Sequence, residues 1–206
     1  MYIPRFNVMD DPADIRAFVE SIGSAEVVTV GDDGTPVATL LPILWSADGG
    51  TVIAHVARAN PHWRQIEDGS RFLAIVAGPQ AYISPSWYAA KAEHGRVVPT
   101  WNYSAVHLIG TVRVHDDPAW VREAVTSLTD HHEQPREQPW AVTDAPETYV
   151  EKNLKAIVGL EMLVERVEAK AKLSQNRSDA DRAGVVAGLR AEGGNPAVAD
   201  AMEAEL

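Results

Sequence analysis

The chain has 206 residues, 46% of them hydrophobic, with 18 basic and 29 acidic side chains, a formal net charge of −11 and no cysteine. This size predicts one domain with a decorating tail, and the missing thiol excludes disulfides, thiolate metal sites and cysteine nucleophiles and fits a reducing cytoplasm. No stretch gathers five or more Lys and Arg, which sets the chain against direct binding to duplex DNA. The first residues lack the pattern of a signal peptide, and no apolar run reaches the roughly 18 residues of a membrane span.

Taken in order, Asp11-Pro12 opens a helix whose buried face is Ile15, Phe18, Val19 and Ile22, with Gly23 as its stop. The period then changes to two. Ala25 to Val30 reads as a strand, Gly31-Asp32-Asp33-Gly34 as its turn, and Pro36 to Trp45 as a strand apolar on both faces and therefore covered on both. Thr51 to Ala57 is the third strand, with His55 on the face opposite Val52, Ala54 and Val56. Three strands joined by tight turns predict an antiparallel meander rather than a parallel Rossmann sheet.

Asn60 caps a short helix from Pro61 to Ile66, and Arg71 to Gly78 is the fourth strand. The loop from Ala89 to Val98 reads as exposed. Val106, Leu108, Gly110, Val112 and Val114 alternate as the fifth strand, and Asp117-Pro118 starts a helix that buries Val121, Ala124, Val125 and Leu128. Another helix is predicted from Pro146 to about Ala156. Alternation resumes at Ile157, and its parity switches at Val167, the mark of a bulge or a barrel corner. Past the switch, Glu168, Lys170, Lys172 and Ser174 share a face. Two helices, capped by Ser178 and Asn195, end the chain. The expected fold is mainly β with peripheral helices, a closed or split antiparallel barrel over residues 1–177 with a helical C-terminal extension over 178–206.

Three groups of residues could carry chemistry. Tyr82, Trp87, Tyr88, Trp101 and Tyr103 crowd the region from Gly78 to Gly110. They either pack as core mass or wall a pocket for a flat ligand, with Ser84, Ser86, Thr100 and Asn102 as placed polar groups. Arg58, Asn60 and the helix start at Pro61 would suit a phosphate, or are a cap beside a surface arginine. Lys170 to Arg177 puts two lysines on one face before four hydrogen-bonding side chains, suited to an anion or a flavin ring edge, or is a solvated strand end. His131-His132-Glu133 lacks a third metal ligand at regular spacing. No dinucleotide fingerprint, P-loop or Gly-x-Ser-x-Gly elbow occurs.

Longer blocks are more specific. Met1-Tyr2-x-Pro4-x-Phe6, His55-x-Ala57-Arg58-Ala59-Asn60-Pro61-x-Trp63, Gly78-Pro79-x-Ala81-Tyr82-Ile83-Ser84-Pro85-Ser86-Trp87-Tyr88, Val98-Pro99-Thr100-Trp101-Asn102-Tyr103 and Lys170-x-Lys172-Leu173-Ser174-Gln175-Asn176-Arg177 stand in this order. In these blocks the chain resembles the PaiB-type FMN-binding negative transcriptional regulators of the FMN-binding split-barrel superfamily, relatives of the pyridoxamine-phosphate oxidases. The resemblance implies a homodimer with FMN at the interface. By analogy it places His55, Arg58 and Asn60 at the flavin phosphate. Ser84, Trp101, Asn102, Tyr103, Lys172, Ser174, Gln175 and Asn176 would complete the pocket. Two positions depart from the family pattern: Gln80, where a His is frequent, and Ala171, where a bulkier aromatic is common. The resemblance implies a flavin-linked regulator acting through FMN or protein partners. The alternatives are an FMN-dependent oxidoreductase and a haem-binding barrel using His55, His94 or His107.

Overall fold

The computed structural model describes residues 1–31 and 33–204; Asp32, expected in the first turn, lies outside them. The first helix, α1 (Pro12–Ile22), starts as its sequence dictates, with Asp11 Oδ1 accepting from the Ala13 N–H at 2.7 Å. Strands β1 (Ser24–Val30) and β2 (Pro36–Pro42) form an antiparallel hairpin in register from Ser24↔Pro42 to Val30↔Pro36. After Ile43 come β3 (Leu44–Trp45) and β4 (Thr51–Ala57), followed by a 3-10 turn at Pro61–Gln65. Strand β5 spans Arg71–Ile83 and β6 spans Thr100–His115, with a single helical turn, α2 (Ala90–Glu93), in the loop between them. Helices α3 (Pro118–Glu133) and α4 (Glu147–Leu154) precede β7 (Ile157–Lys172), and α5 (Asp179–Ala191) and α6 (Pro196–Ala204) follow it.

The described strands form one sheet in the order β2-β1-β5-β6-β7-β4-β3. The expected three-strand meander is present with a break in its middle strand. β1 and β2 pair as a hairpin, β3 pairs antiparallel with β4 at Leu44↔Ile53 and Trp45↔Val52, and the other edge of β4 pairs antiparallel with β7, from Thr51↔Leu163 to Ala57↔Ile157. The break falls where Pro42 has no N–H to donate and Ile43 leaves the ladder. β2 and β3 end the order at opposite sides, yet only Ile43 separates them in the chain. A ladder whose two ends are one residue apart is closed on itself. This is a barrel.

The chain forms two compact units. One comprises 16–76 and 107–167, and its core gathers Val27, Val52, Val56, Val76, Val112 and Leu160 from the strands. Beside these, Val121 of α3 packs with Val142, Val150 and Leu154. Each such aliphatic side chain contributes about 1.5–3 kcal/mol on burial. β2 departs from expectation. Its inner Leu41 is buried, but Pro36, Ala38 and Leu40 are exposed, because nothing among the described residues covers the outer face.

The other unit comprises 1–15, 77–106 and 168–206. Ile83, Tyr88, Leu173, Val185, Leu189 and Met202 form its core. The parity switch in β7 falls where the chain enters this unit, so that Ala169, Ala171 and Leu173 turn inward. Ala171 fits because it is small and buried in this core. Helix α5 lies so close to Trp87 that a Cβ on Gly188 would meet the indole at 2.4 Å.

Candidate functional site

In the unit built from both ends of the chain, a cleft of ≈ 260 Å³ opens beside the end of β7. Period-two alternation puts Lys170, Lys172 and Ser174 on the side away from the apolar core. The start of β6 supplies Thr100 and Asn102, and the N-terminal segment supplies Tyr2 and Phe6. That segment is held in place by a bridge between Val8 and Lys170 and by the Met9 N–H donating to Ala169 O at 3.2 Å.

The polar groups of the cleft are tightly connected. The buried Lys170 ammonium donates to Tyr103 Oη at 2.7 Å and to Tyr2 O at 3.1 Å. Lys172 Nζ donates to Thr100 Oγ1 and to the Trp101 carbonyl. Burial, and then the neighbouring charge of Lys170, holds the Lys172 ammonium below the usual lysine range. Asn102, with no exposed surface, donates through Nδ2 to Ser174 Oγ at 3.0 Å and to the Met202 sulfur at 3.4 Å. Ser174 has φ of 64°, the left-handed region that side chains avoid. Arg177 lies 4.7 Å over the ring of Tyr88, whose buried phenol is pushed above the usual tyrosine value chiefly by desolvation.

Three cations, Lys170, Lys172 and Arg177, line the cleft, and among the described residues no carboxylate does. In a chain of net charge −11 this is a local reversal of sign. Elsewhere several arginines pair with acids: Arg71 with Glu165, Arg122 with Glu147, and Arg190 with Asp200 and Glu203.

Among the residues singled out from sequence, Asn102, Lys172, Ser174 and Asn176 line this cleft. Tyr103 reaches it through Lys170, and Trp101 through its carbonyl, while its indole donates to Gln80 Oε1 at 3.0 Å. Gln175 turns back to its own loop, accepting from the Leu173 N–H and donating to Ala171 O. Ser84 caps the 3-10 turn Pro85–Trp87 and is outside the lining. Tyr88, Thr100, Lys170 and Arg177, also singled out from sequence, line it too, and Tyr2 and Phe6 complete the walls; the Tyr-x-Pro-x-Phe start of the chain was the available signal for these last two.

His55, Arg58 and Asn60 belong to the other unit. Arg58 donates to both Asp116 oxygens, to Lys155 O at 2.8 Å and to Ile157 O at 3.1 Å. The Asp116 hydrogen bonds raise its pKa further and lower that of the carboxyl. Asn60 accepts from the His62 N–H at 2.9 Å and donates to Thr39 Oγ1 at 3.3 Å. His55 borders an apolar cavity. Of the other histidines considered as ligands, His94 accepts from the Arg96 N–H at 3.0 Å on an exposed loop. His131 and His132 stand at the end of α3, where the neighbouring Glu133 pairs with Arg136.

The buried His62 bridges Thr29 Oγ1 and Thr39 Oγ1, each at 2.8 Å, and burial lowers its pKa from 6.5. The unfolded chain therefore takes up a proton near pH 6.5 that the folded chain refuses. Stability should be complete above that pH and lost as pH falls toward the depressed folded value. Urea unfolding between pH 7 and 5 should show this decline, and His62→Gln should lessen it, with His55, also lowered by burial, carrying part of what remains. An unchanged slope in the variant would assign the decline elsewhere.

The closed antiparallel ladder with helices at its margins is a split barrel, and solved structures agree. A FAD- and haem-binding protein from Mycobacterium smegmatis is 20% identical with a TM-score of 0.59, over 86% of this chain and 78% of that one. The conserved hypothetical protein Rv2991 from Mycobacterium tuberculosis is 13% identical with a TM-score of 0.58, over 85% and 92%. At these identities the likeness is one of fold.

The family follows from sequence. Residues 1–166 match the family described as "Putative FMN-binding domain". The Bacillus subtilis (strain 168) protein named "Protease synthase and sporulation protein PAI 2" is 35% identical over 194 residues, 93% of this chain and 90% of that one. The chain belongs to this FMN-binding family. FMN is its cofactor, a flat ring joined to a phosphate anion, and supplies electron or hydride transfer when bound. The cleft beside β7 has donors that fit such a group, with three cations and the amide of Asn176 beside the aromatic rings of Tyr2, Phe6 and Tyr88.

Proposed function

We propose that this chain is a flavin-dependent regulatory protein of the cytoplasm, a homodimer that acts through FMN or protein partners and not by gripping an operator. The carboxylate-free cluster of Lys170, Lys172 and Arg177 carries this reading, since it is where an anionic flavin gains most from an otherwise acidic chain. The pairing of arginines with acids elsewhere works against a broad basic face for DNA. The Bacillus subtilis relative, named for protease synthase and sporulation, supports a regulatory role.

Titration of the protein with FMN, followed by flavin absorbance, tests the site. Lys172→Ala and Asn176→Ala should each weaken binding about tenfold, the effect of losing one good hydrogen bond to the ligand. Arg58→Ala and Asn60→Ala probe the second expected phosphate contact. Loss of affinity in that pair alone would move the phosphate to the start of the 3-10 turn. Bleaching of bound flavin by NADH or NADPH without oxygen would make the protein an oxidoreductase instead.

The dimer has a candidate face. Leu40 is 67% exposed and Val30 65%, and with Pro36 and Ala38 they form an uncovered apolar strip on the β1–β2 hairpin. Glu26 stands opposite Leu40 in the register. Leu40→Glu, which sets like charges opposite each other and charges the strip, should convert a dimer to a monomer in sedimentation analysis. A variant that stays dimeric would place the interface elsewhere.

A further inference from the structure

Residues 1–9 run beside the end of β7 and give the cation-lined cleft one of its walls, through Tyr2, Pro4, Phe6 and Asn7. The base of this segment is anchored. Asn7 is buried and donates to Pro4 O at 2.8 Å, Val8 makes an isolated bridge to Lys170, and Met9 donates to Ala169 O. The tip is held by the Lys170 ammonium, which donates to Tyr2 O, and by the Met1 ammonium at the Glu168 carboxylate. Between tip and base the aromatic rings stand in water, with Tyr2 83% exposed and Phe6 53%.

A strand added for support alone pairs along a ladder and buries its large side chains. This segment does the reverse, burying an asparagine and leaving two rings out beside a cleft. Aromatic surface so placed gains most from a flat partner that takes it out of water. A segment tied by few hydrogen bonds and little buried apolar surface also opens at low cost.

Lys170 stands where it can govern that opening. It is 6% exposed, the most buried cation of the cleft. Two of its three N–H donors go to Tyr2 O on the segment and to Tyr103 Oη on β6, and neither acceptor is a carboxylate. Its Nζ lies 4.9 Å from the centre of the Tyr103 ring and 6.0 Å from that of Tyr2. One buried ammonium thus joins the segment to the opposite wall.

We propose that residues 2–8 form a lid that closes on the FMN-loaded cleft, with Lys170 as the positioning residue that sets it down and lid opening as the step that limits flavin release. This rests on the placement of the flavin in the cleft beside β7. Lys172, Asn176 and Arg177 are left for the phosphate, and Tyr2 and Phe6 for the ring. Opening of such a lid commonly sets the rate at which a bound molecule leaves.

Hydrogen exchange of the full chain, read by mass spectrometry with and without FMN, tests the lid. Saturation with FMN should slow exchange across residues 3–8 at least about tenfold. Lys170→Met should quicken exchange there in the FMN-free protein and speed flavin release, followed by stopped-flow fluorescence, at least about tenfold. Lys170→Arg, which keeps a charged donor for Tyr2 O, should restore both. Lys172→Ala should weaken FMN binding and leave exchange of the FMN-free segment unchanged. Because loss of the buried Lys170 can disturb the fold, Tyr2→Ala gives a second measure. Its side chain is exposed, so the melting temperature of the FMN-free protein should hold while flavin release quickens. Exchange across 3–8 that FMN does not change would overturn the lid, even where the loss of affinity in Lys172→Ala upholds the flavin site. FMN binding indifferent to Lys172→Ala would remove the flavin from this cleft and the lid with it. A Lys170→Arg variant no slower in exchange or release than Lys170→Met would overturn the role of Lys170.

Discussion

Gly110→Ala is expected to lower the stability of the fold by about 3 kcal/mol or more, at the upper end of what overpacking costs. A Cβ at this position would lie 1.8 Å from Leu163 O and 2.9 Å from Leu163 C. Both atoms are backbone, so no rotamer change relieves the clash. Relief requires β6 and β7 to move apart in the middle of the sheet, with loss of ladder hydrogen bonds there. For a chain of this size the melting temperature should fall by about 6–12 °C. Calorimetry would read it, and a variant melting within 2–3 °C (roughly 1 kcal/mol) of the parent would refute the close approach.

Asn102→Ala should cost about 2–3 kcal/mol and weaken FMN binding as well. The side chain is wholly buried and connects β6 to Ser174 and to Met202 of α6. Truncation leaves the Ser174 hydroxyl with one partner fewer in a dry environment. Ser174 also holds a strained left-handed backbone, at a cost of order 1–3 kcal/mol that its surroundings must sustain. Without Asn102 the turn that presents Asn176 and Arg177 is free to relax. A double-mutant cycle with Ser174→Ala should give a coupling of about 1 kcal/mol or more in urea unfolding. Additive effects would show that the two side chains act separately.

Local signals were read well from sequence, and pairings over distance were not. Asp11, Asn60, Asp117, Ser178 and Asn195 all accept from backbone N–H groups at helix starts, as their positions imply. The common face of Lys170, Lys172 and Ser174 followed from alternation alone. Strand ends were harder to place. β5 continues through Gly78-Pro79 to Ile83, across a dipeptide that usually ends a strand, and β6 begins at Thr100 rather than near Val106. There the inward residues are the polar Asn102 and Ser104, so no hydrophobic alternation marks the strand.

The site was legible in part for the same reason. Aromatic crowding from Gly78 to Gly110 left core and pocket as open readings, and the chain uses both. Trp87 packs against Gly188 and Tyr88 is buried, whereas Tyr82 and Trp101 meet edge to face at 6.4 Å on the surface. The pairing of Arg58 with Asp116 joins residues far apart in sequence, and no local pattern announces it.

The one-residue junction at Ile43 also governs how the chain is made. β1 and β2 can pair soon after synthesis, and so can β3 with β4 over two residues, but the other edge of β4 must wait for β7, since Thr51 faces Leu163 and Ala57 faces Ile157. Until then that edge of an apolar strand stands without its long partner. Contacts this distant in the chain slow folding, because the loop must close before they stabilise anything. Incomplete chains that stop short of β7 should therefore be clients for chaperones and proteases, and the protein's yield in a cell should depend on the supply of both.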